Sequence, residues 1–351
     1  MKNPHNIYIH VPFCVQKCKY CAFFSHACAN PDWDNFANTI VAEITYWAQK
    51  LGKIDIPTIF FGGGTPSMMP CHIFAQIVES LHKNFNILPD AEITIEANPG
   101  TIDNARLCEF INIGVNRVSI GVQSFDDARL KFLGRIHSAD DARRLLGAAL
   151  ESGIRVSADF IYGLPDDTTD YVKKLCTDIN NIGIKHCSMY ELTIEENTPF
   201  GKMNLQMPTN EQMADMYIAI QETLNLPRYE VSNYAAHGQE CRHNQNIWDG
   251  APYIGIGNGA AGRIFMGDVW FEELGGGAKF EQMSLRERAI ERVITGMRTM
   301  RGVLVDGDVK KILNIEFAKS NPNMLRFDGN RLSATDNGIL VLDDLITKLV
   351  E

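Results

Sequence analysis

Three cysteines, Cys14, Cys18 and Cys21, stand in the stretch HVPFCVQKCKYCAFFSH with the spacing C-x3-C-x2-C. Thiolates are soft ligands, and three of them can hold three irons of a four-iron cluster. The fourth iron then lacks a protein ligand and stays open to a small molecule, as a catalytic metal site keeps one position free. Two other uses of the trio want more residues than the chain supplies. A structural zinc site could borrow His10, His26 or Cys28 as a fourth ligand, but zinc pairs come with a second pair further along, and none follows. A ferredoxin-type cluster asks for a fourth cysteine followed by proline, which is also missing. The spacing therefore favours a [4Fe-4S] cluster with one open iron.

Other candidate residues stand at the ends of apolar runs. Gly62-Gly63-Gly64-Thr65-Pro66 follows Thr58–Phe61. It reads either as a tight strand-to-helix turn, for which glycine is the default, or as a backbone cradle for a ligand. It is not a phosphate loop, because no Gly-Lys-Ser/Thr follows. Glu96 ends an apolar strand, where a buried carboxylate must find a partner: a salt bridge, or a ligand. Gln123, Arg135 and Asp159 pose the same choice, and Arg135 can grip a carboxylate bidentately. Tyr8, on the first strand, and Tyr20, before the third cysteine, can line either a pocket or the core. His243 sits in CRHNQNIW before a glycine-rich run; histidine is a frequent heme ligand, although no C-x-x-C-H attachment motif is present.

These residues need elements to carry them. Extended runs occur at 7–11, 58–61, 92–97, 117–121, 155–162 and 185–192. Helical patterns separate them: around 73–81, from Thr101 to Gly114, from a Ser138/Asp141 capping box to Gly153, and over about 170–181. Six strands alternating with helices predict βαβ units on a parallel sheet, curled into a partial (β/α)6 TIM-like barrel. The candidate residues fall at the C-terminal strand ends, the edge where parallel α/β folds bind ligands. A helix is expected over 209–224 and a strand over 228–234. Ser284 with Glu287 caps another helix, to about Arg298. The expected division is a core over 1–235, a connecting segment over 236–279 with Gly275-Gly276-Gly277 as a hinge, and a small C-terminal α+β unit over 280–351.

Composition limits the partners. The chain has 351 residues and a net charge of -10, which argues against broad nucleic-acid binding. Six further cysteines are scattered without pairing spacing, no signal peptide opens the chain and no apolar run spans a bilayer. A reducing cytoplasm is the expected location.

The cysteine stretch resembles the signature of the radical SAM superfamily. The ordered motifs HVPFC, FFGGGTPS, EANPG, GVNRVSIGVQSF, LGRIH, DFIYGLP, YEVSNYA and CRHNQNIW resemble its coproporphyrinogen III oxidase-like branch, and within it the heme chaperone family HemW. That resemblance implies a [4Fe-4S] cluster whose fourth iron is chelated by S-adenosyl-L-methionine (SAM), with an electron from the cluster cleaving a C–S bond of SAM. It implies SAM contacts from Tyr8, Tyr20, Gly63, Gly64, Thr65, Glu96, Gln123, Arg135 and Asp159, and a heme contact from His243. It also implies a reducing electron donor, and transfer of heme to acceptors such as respiratory heme proteins. The alternative is the oxygen-independent coproporphyrinogen III dehydrogenase, a radical SAM enzyme of oxidative decarboxylation. That relative carries a fourth cysteine two residues after the trio, where this chain has Phe23, and a longer segment before its cysteines. Three positions depart from the chaperone pattern: Ile247 replaces a tyrosine, Ala261 a histidine and Ala22 a frequent aspartate.

Overall fold

The extended runs become six parallel strands, largely buried on both faces: β1 (Asn6–Val11), β2 (Asp55–Gly63), β3 (Asn86–Ala97), β4 (Arg117–Gln123), β5 (Arg155–Tyr162) and β6 (His186–Glu191). They lie side by side in that order. The computed structural model describes residues 4–273, 275 and 279–350. Gly276 and Gly277 of the expected hinge therefore lie outside the described residues, as do Met1–Asn3 and Glu351.

Helices cover the sheet: α1 (Trp33–Leu51), α2 (Cys71–Asn84), α3 (Asn104–Ile113), α4 (Asp127–Leu133), α5 (Ala139–Glu151) and α6 (Thr169–Ile182). The apolar faces of all but α4 make one core with the strands, while Leu133 of α4 packs with Ile161, Leu164, Leu192 and Phe200 in a smaller cluster. Ile40, Ile44 and Trp47 of α1 and Ile73, Phe74 and Ile77 of α2 join Ile59 and Phe61 of β2 in the larger core. The Phe61 and Phe74 rings meet at 4.7 Å. The Ser138/Asp141 capping box opens α5 as expected, with both reciprocal bonds present.

Five features differ from the sequence expectation. The 19-residue α1 fills a stretch given no element, and α4 fills another. Helix α3 starts at Asn104 instead of Thr101, because Asp103 caps it. The single strand expected over 228–234 is two short ones, β7 (Arg228–Glu230) and β8 (Asn233–Ala235), with β8 antiparallel to β6. Residues 236–279 are no mere connector. After α7 (Asn210–Thr223) they supply α8 (Arg242–Trp248) and β9 (Tyr253–Ile256), a seventh parallel strand paired with β1 on its free side. β10 (Gly262–Met266), β11 (Val269–Glu273) and β12 (Phe280–Met283) then extend the same sheet antiparallel. The sheet keeps two edges, β12 and β7, so the barrel is partial.

The chain after β12 builds a small α+β unit. Helix α9 (Leu285–Met297) starts at the Ser284/Glu287 capping box and packs its Val293 and Met297 with Leu332, Leu345 and Leu349 in a second core. A three-stranded antiparallel sheet over Val303–Leu304, Arg331–Ala334 and Leu325–Asp328 completes it. The Arg298–Glu230 and Arg228–Asp336 ion pairs and the Val231 amide on the Arg298 carbonyl tie this unit to the sheet edge.

Helix α8 lies against the N-terminal ends of β1, β2 and β3. The Glu92 carboxylate accepts the Arg242 and His243 amides at 3.1 and 2.9 Å and pairs with Arg155 at 2.9 Å. Asn246 bonds Asn6, and the His243 ring bonds Thr58. This end of the barrel is closed by polar side chains that satisfy one another, and the opposite end is left for ligands.

Candidate active site at the C-terminal strand ends

The C-terminal ends of the parallel strands open into a cavity of about 490 Å3. Cys14, Cys18, Cys21, Tyr20, Gly63, Gly64, Thr65, Glu96, Gln123, Arg135 and Asp159 all line it. Two candidates do not. Tyr8 stands one layer behind, its hydroxyl bonded to His10 Nδ1 at 2.9 Å. His243 lies at the opposite, closed end, 2% exposed, with Nδ1 on Thr58 Oγ1 at 2.7 Å and its ring beside Phe60. Burial pushes its imidazole down to about 4, so it is neutral there. The sequence neighbours of His243 suggested a ligand; the fold uses the residue as a strut, and the ring stands apart from the thiols.

The cysteine loop is tied at several points. Phe13–Cys14 pairs with His26–Ala27, and the Cys28 amide reaches the Cys14 carbonyl. His10 Nε2 bonds the Phe24 carbonyl at 2.7 Å, which makes Nε2 the donor and leaves Nδ1 to accept from the Tyr8 hydroxyl. Burial lowers the His10 pKa, in keeping with a neutral ring. His10 is two residues from Tyr8 on one strand face, so its place beside the site was legible in the period of β1.

The glycine run fits against this loop through backbone alone. The Gly64 amide donates to the Val11 carbonyl and the Thr65 amide to the Phe13 carbonyl, each at 2.7 Å. A Cβ on Gly64 would stand 2.6 Å from the Phe13 oxygen and 2.9 Å from that of Val11. Gly63 has φ +114, and a Cβ there would strike the His10 ring at 2.5 Å. Only glycine fits either position. The Gly63 amide donates to Glu96 Oε2 at 3.0 Å.

Charges around the cavity are unequally partnered. Burial, then the negative charge of Asp159, pushes Glu96 up to about 8 against the Gly63 amide, so its carboxyl is largely protonated at pH 7. Asp159 is also raised by burial, with Ser119 donating at 3.0 Å. Arg135 is held by the Asn98 side chain and the Gly121 carbonyl, and reaches Cys18 Sγ at 3.4 Å. Gln123 holds φ 64, a left-handed conformation rare for a residue with a side chain, at a register shift of β4 against β5. Asn98, Ser119 and Gly121 also line the cavity and were not singled out from the sequence. The EANPG motif contained the signal for Asn98.

Three free thiols on one cavity are the soft donor set a [4Fe-4S] cluster takes. Among the described residues, no three His, Cys, Asp or Glu side chains gather closely enough to hold a single ion. Beside the trio, the glycine cradle leaves backbone accessible where a side chain would not fit, and a neutral carboxyl and a fixed guanidinium face the same space. These groups suit an amino-acid-bearing ligand such as SAM.

Fold and site together define a radical SAM protein, and residues 8–179 match the family model described as Radical SAM superfamily. Within that superfamily the chain belongs to the heme chaperone HemW family. It is 37% identical to "Heme chaperone HemW" of Escherichia coli over 270 residues, covering 76% of this chain and 71% of that protein. It is 34% identical to the Synechocystis protein of the same name, covering 99% and 91%. The solved structure of Escherichia coli coproporphyrinogen III oxidase (HemN), a radical SAM enzyme, superposes with a TM-score of 0.81 over 99% of this chain and 89% of its own, at 19% identity. That last likeness is one of fold.

Two predictions test this geometry. Gly64→Ala sets a methyl group against two main-chain oxygens that cannot swing away. Iron and sulfide bound after anaerobic reconstitution should fall to roughly half or less, with the unfolding free energy lowered by only about 1–3 kcal/mol. A full complement of iron in that variant would contradict the cradle. The second concerns Glu96, whose folded pKa lies above its unfolded value. The cluster-free chain then binds more protons when folded, so this group's contribution to stability falls as pH rises from about 4.5 to about 8. Glu96→Gln should remove up to about 1.4 kcal/mol per pH unit of that slope in urea titrations. An unaltered slope would mean that Glu96 is ionised in the free protein.

Proposed function

We propose that this chain is a heme chaperone: it holds a [4Fe-4S] cluster and SAM in the cavity, binds heme, and passes heme to acceptor proteins, respiratory heme proteins among them. The observation that carries this reading is one cavity lined by the cysteine trio and the glycine–carboxyl–guanidinium cradle, in a HemW-family chain that has Phe23 in place of a fourth cysteine. When bound, the cluster and SAM supply one-electron reductive chemistry, fed by a reducing donor.

The chain's own groups have separable tasks. Cys14, Cys18 and Cys21 hold the cluster. The backbone at Gly63–Thr65 receives the methionine end of SAM, with Arg135 facing its carboxylate. A ligand that brought positive charge beside Glu96 would favour its carboxylate form, the proton passing to solvent. Gln123 and Asp159 offer hydrogen bonds to hydroxyl groups, and Tyr20 offers a ring face to the adenine. Among the described residues no helix is long and apolar enough to cross a membrane, and the reading places the protein in the cytoplasm.

The test uses anaerobically reconstituted protein with SAM and reductant, divided in two. One half receives coproporphyrinogen III and is assayed for the divinyl product. The other is titrated with heme and followed by its Soret band. The chaperone reading expects saturable heme binding near one per chain and no product. Product formation would overturn it in favour of the coproporphyrinogen III dehydrogenase.

A further inference from the structure

Large apolar side chains left in water concentrate at the mouth of the cavity. Four of the residues lining it stand exposed: Val15 at 48%, Phe23 at 70%, Ile136 at 49% and Tyr190 at 43%. Phe24, next in the chain, is 52% exposed, with its ring seated against Gly259. Contiguous exposed apolar surface marks an interaction site more often than it marks chance. Here the exposure is built in. His10 grips the Phe24 carbonyl, and Lys17 Nζ donates to the Phe23 and Ser25 carbonyls at 3.1 Å each. These three bonds hold the main chain of the tandem phenylalanines from Phe23 to Ser25.

We propose that heme docks on this lip, with its macrocycle against Phe23, Phe24, Val15 and Ile136 and a propionate on Lys17. The inference rests on the chaperone reading and adds the place. Heme is a flat apolar body with two carboxylates at one edge, and the lip offers the complement of both parts. Lys17 is exposed and spends two of its three N–H groups on the loop, which leaves the third for a carboxylate. Phe23 occupies the position that separates this chain from the four-cysteine relative, and there it supplies apolar surface. The lip also adjoins the cavity, so heme and SAM would occupy neighbouring spaces and the occupancy of one would be felt at the other. His243, closed in at the far end, takes no part.

The test is a hemin titration of the full-length, reconstituted protein, read at the Soret band, for the parent, the double variant Phe23→Ser/Phe24→Ser, and Ile136→Ser. Ile136 stands outside the cysteine loop, so its variant probes the mouth without touching the cluster ligands' segment. The double variant should bind heme about tenfold more weakly or worse, and Ile136→Ser several-fold more weakly, with iron and sulfide per chain unchanged. Lys17→Ala should weaken hemin several-fold more than it weakens hemin dimethyl ester, which lacks free propionates and reads only the loss of the two loop contacts. Parental affinity in both Phe23→Ser/Phe24→Ser and Ile136→Ser would overturn the proposal. So would a dimer that these substitutions split while heme affinity holds, since the lip would then be a contact between copies of the chain. A parent that takes up no heme at all would refute the chaperone reading itself, before any variant is compared.

Discussion

Two main-chain hydrogen bonds, from the Gly64 and Thr65 amides to the Val11 and Phe13 carbonyls, determine where the three thiols can stand. They join the end of β2 to the first turn of the cysteine loop at a distance that excludes a side chain. The rest of the site depends on that approach. The glycines leave backbone open to a ligand, the His10 ring fills the space over Gly63, and the same ring secures the far end of the loop through Phe24. Burial of β1 and β2 in the main core gives these short contacts a rigid base.

The two ends of the barrel use buried polarity differently. At the closed end, burial alone would raise Glu92, but Arg117, the His243 amide and Arg155 together hold it below the ordinary carboxylate range. Its charge is compensated by the protein. At the open end Arg117 also acts on Glu96 and Asp159, but burial outweighs it and both are raised. A buried carboxyl whose charge is not fully compensated costs stability, and such sites are where ligands supply the missing charge. The contrast separates structural carboxylates from candidate functional ones on physical grounds.

Much of the site was legible from residue type and spacing, with the glycine run, Glu96 and Gln123 at strand ends, Asp159 within a strand, and Arg135 in the loop after α4. The cysteine spacing, the glycine run, Glu96, Gln123, Arg135 and Asp159 all converge on the cavity. What escaped was set by contacts distant in sequence. β9 joins β1 through pairs such as Asn6 with Tyr253, and nothing local to a four-residue run announces a parallel partner so far away. His243 looked like a ligand from its neighbours, yet its position follows from Glu92 and Thr58, on two other strands. Helix α1 is a different case: Asp32 caps it, and Phe36, Ile40, Ile44, Trp47 and Leu51 keep helical spacing, so its signal was present.

The central claim is that the trio holds a four-iron cluster with one iron left for SAM. The most direct measurement is electron paramagnetic resonance of the reduced, reconstituted protein, recorded before and after SAM is added. A four-iron signal whose g values shift on addition of SAM is the predicted result. A cluster signal indifferent to SAM, or a protein that binds zinc in place of iron and sulfide, would contradict it.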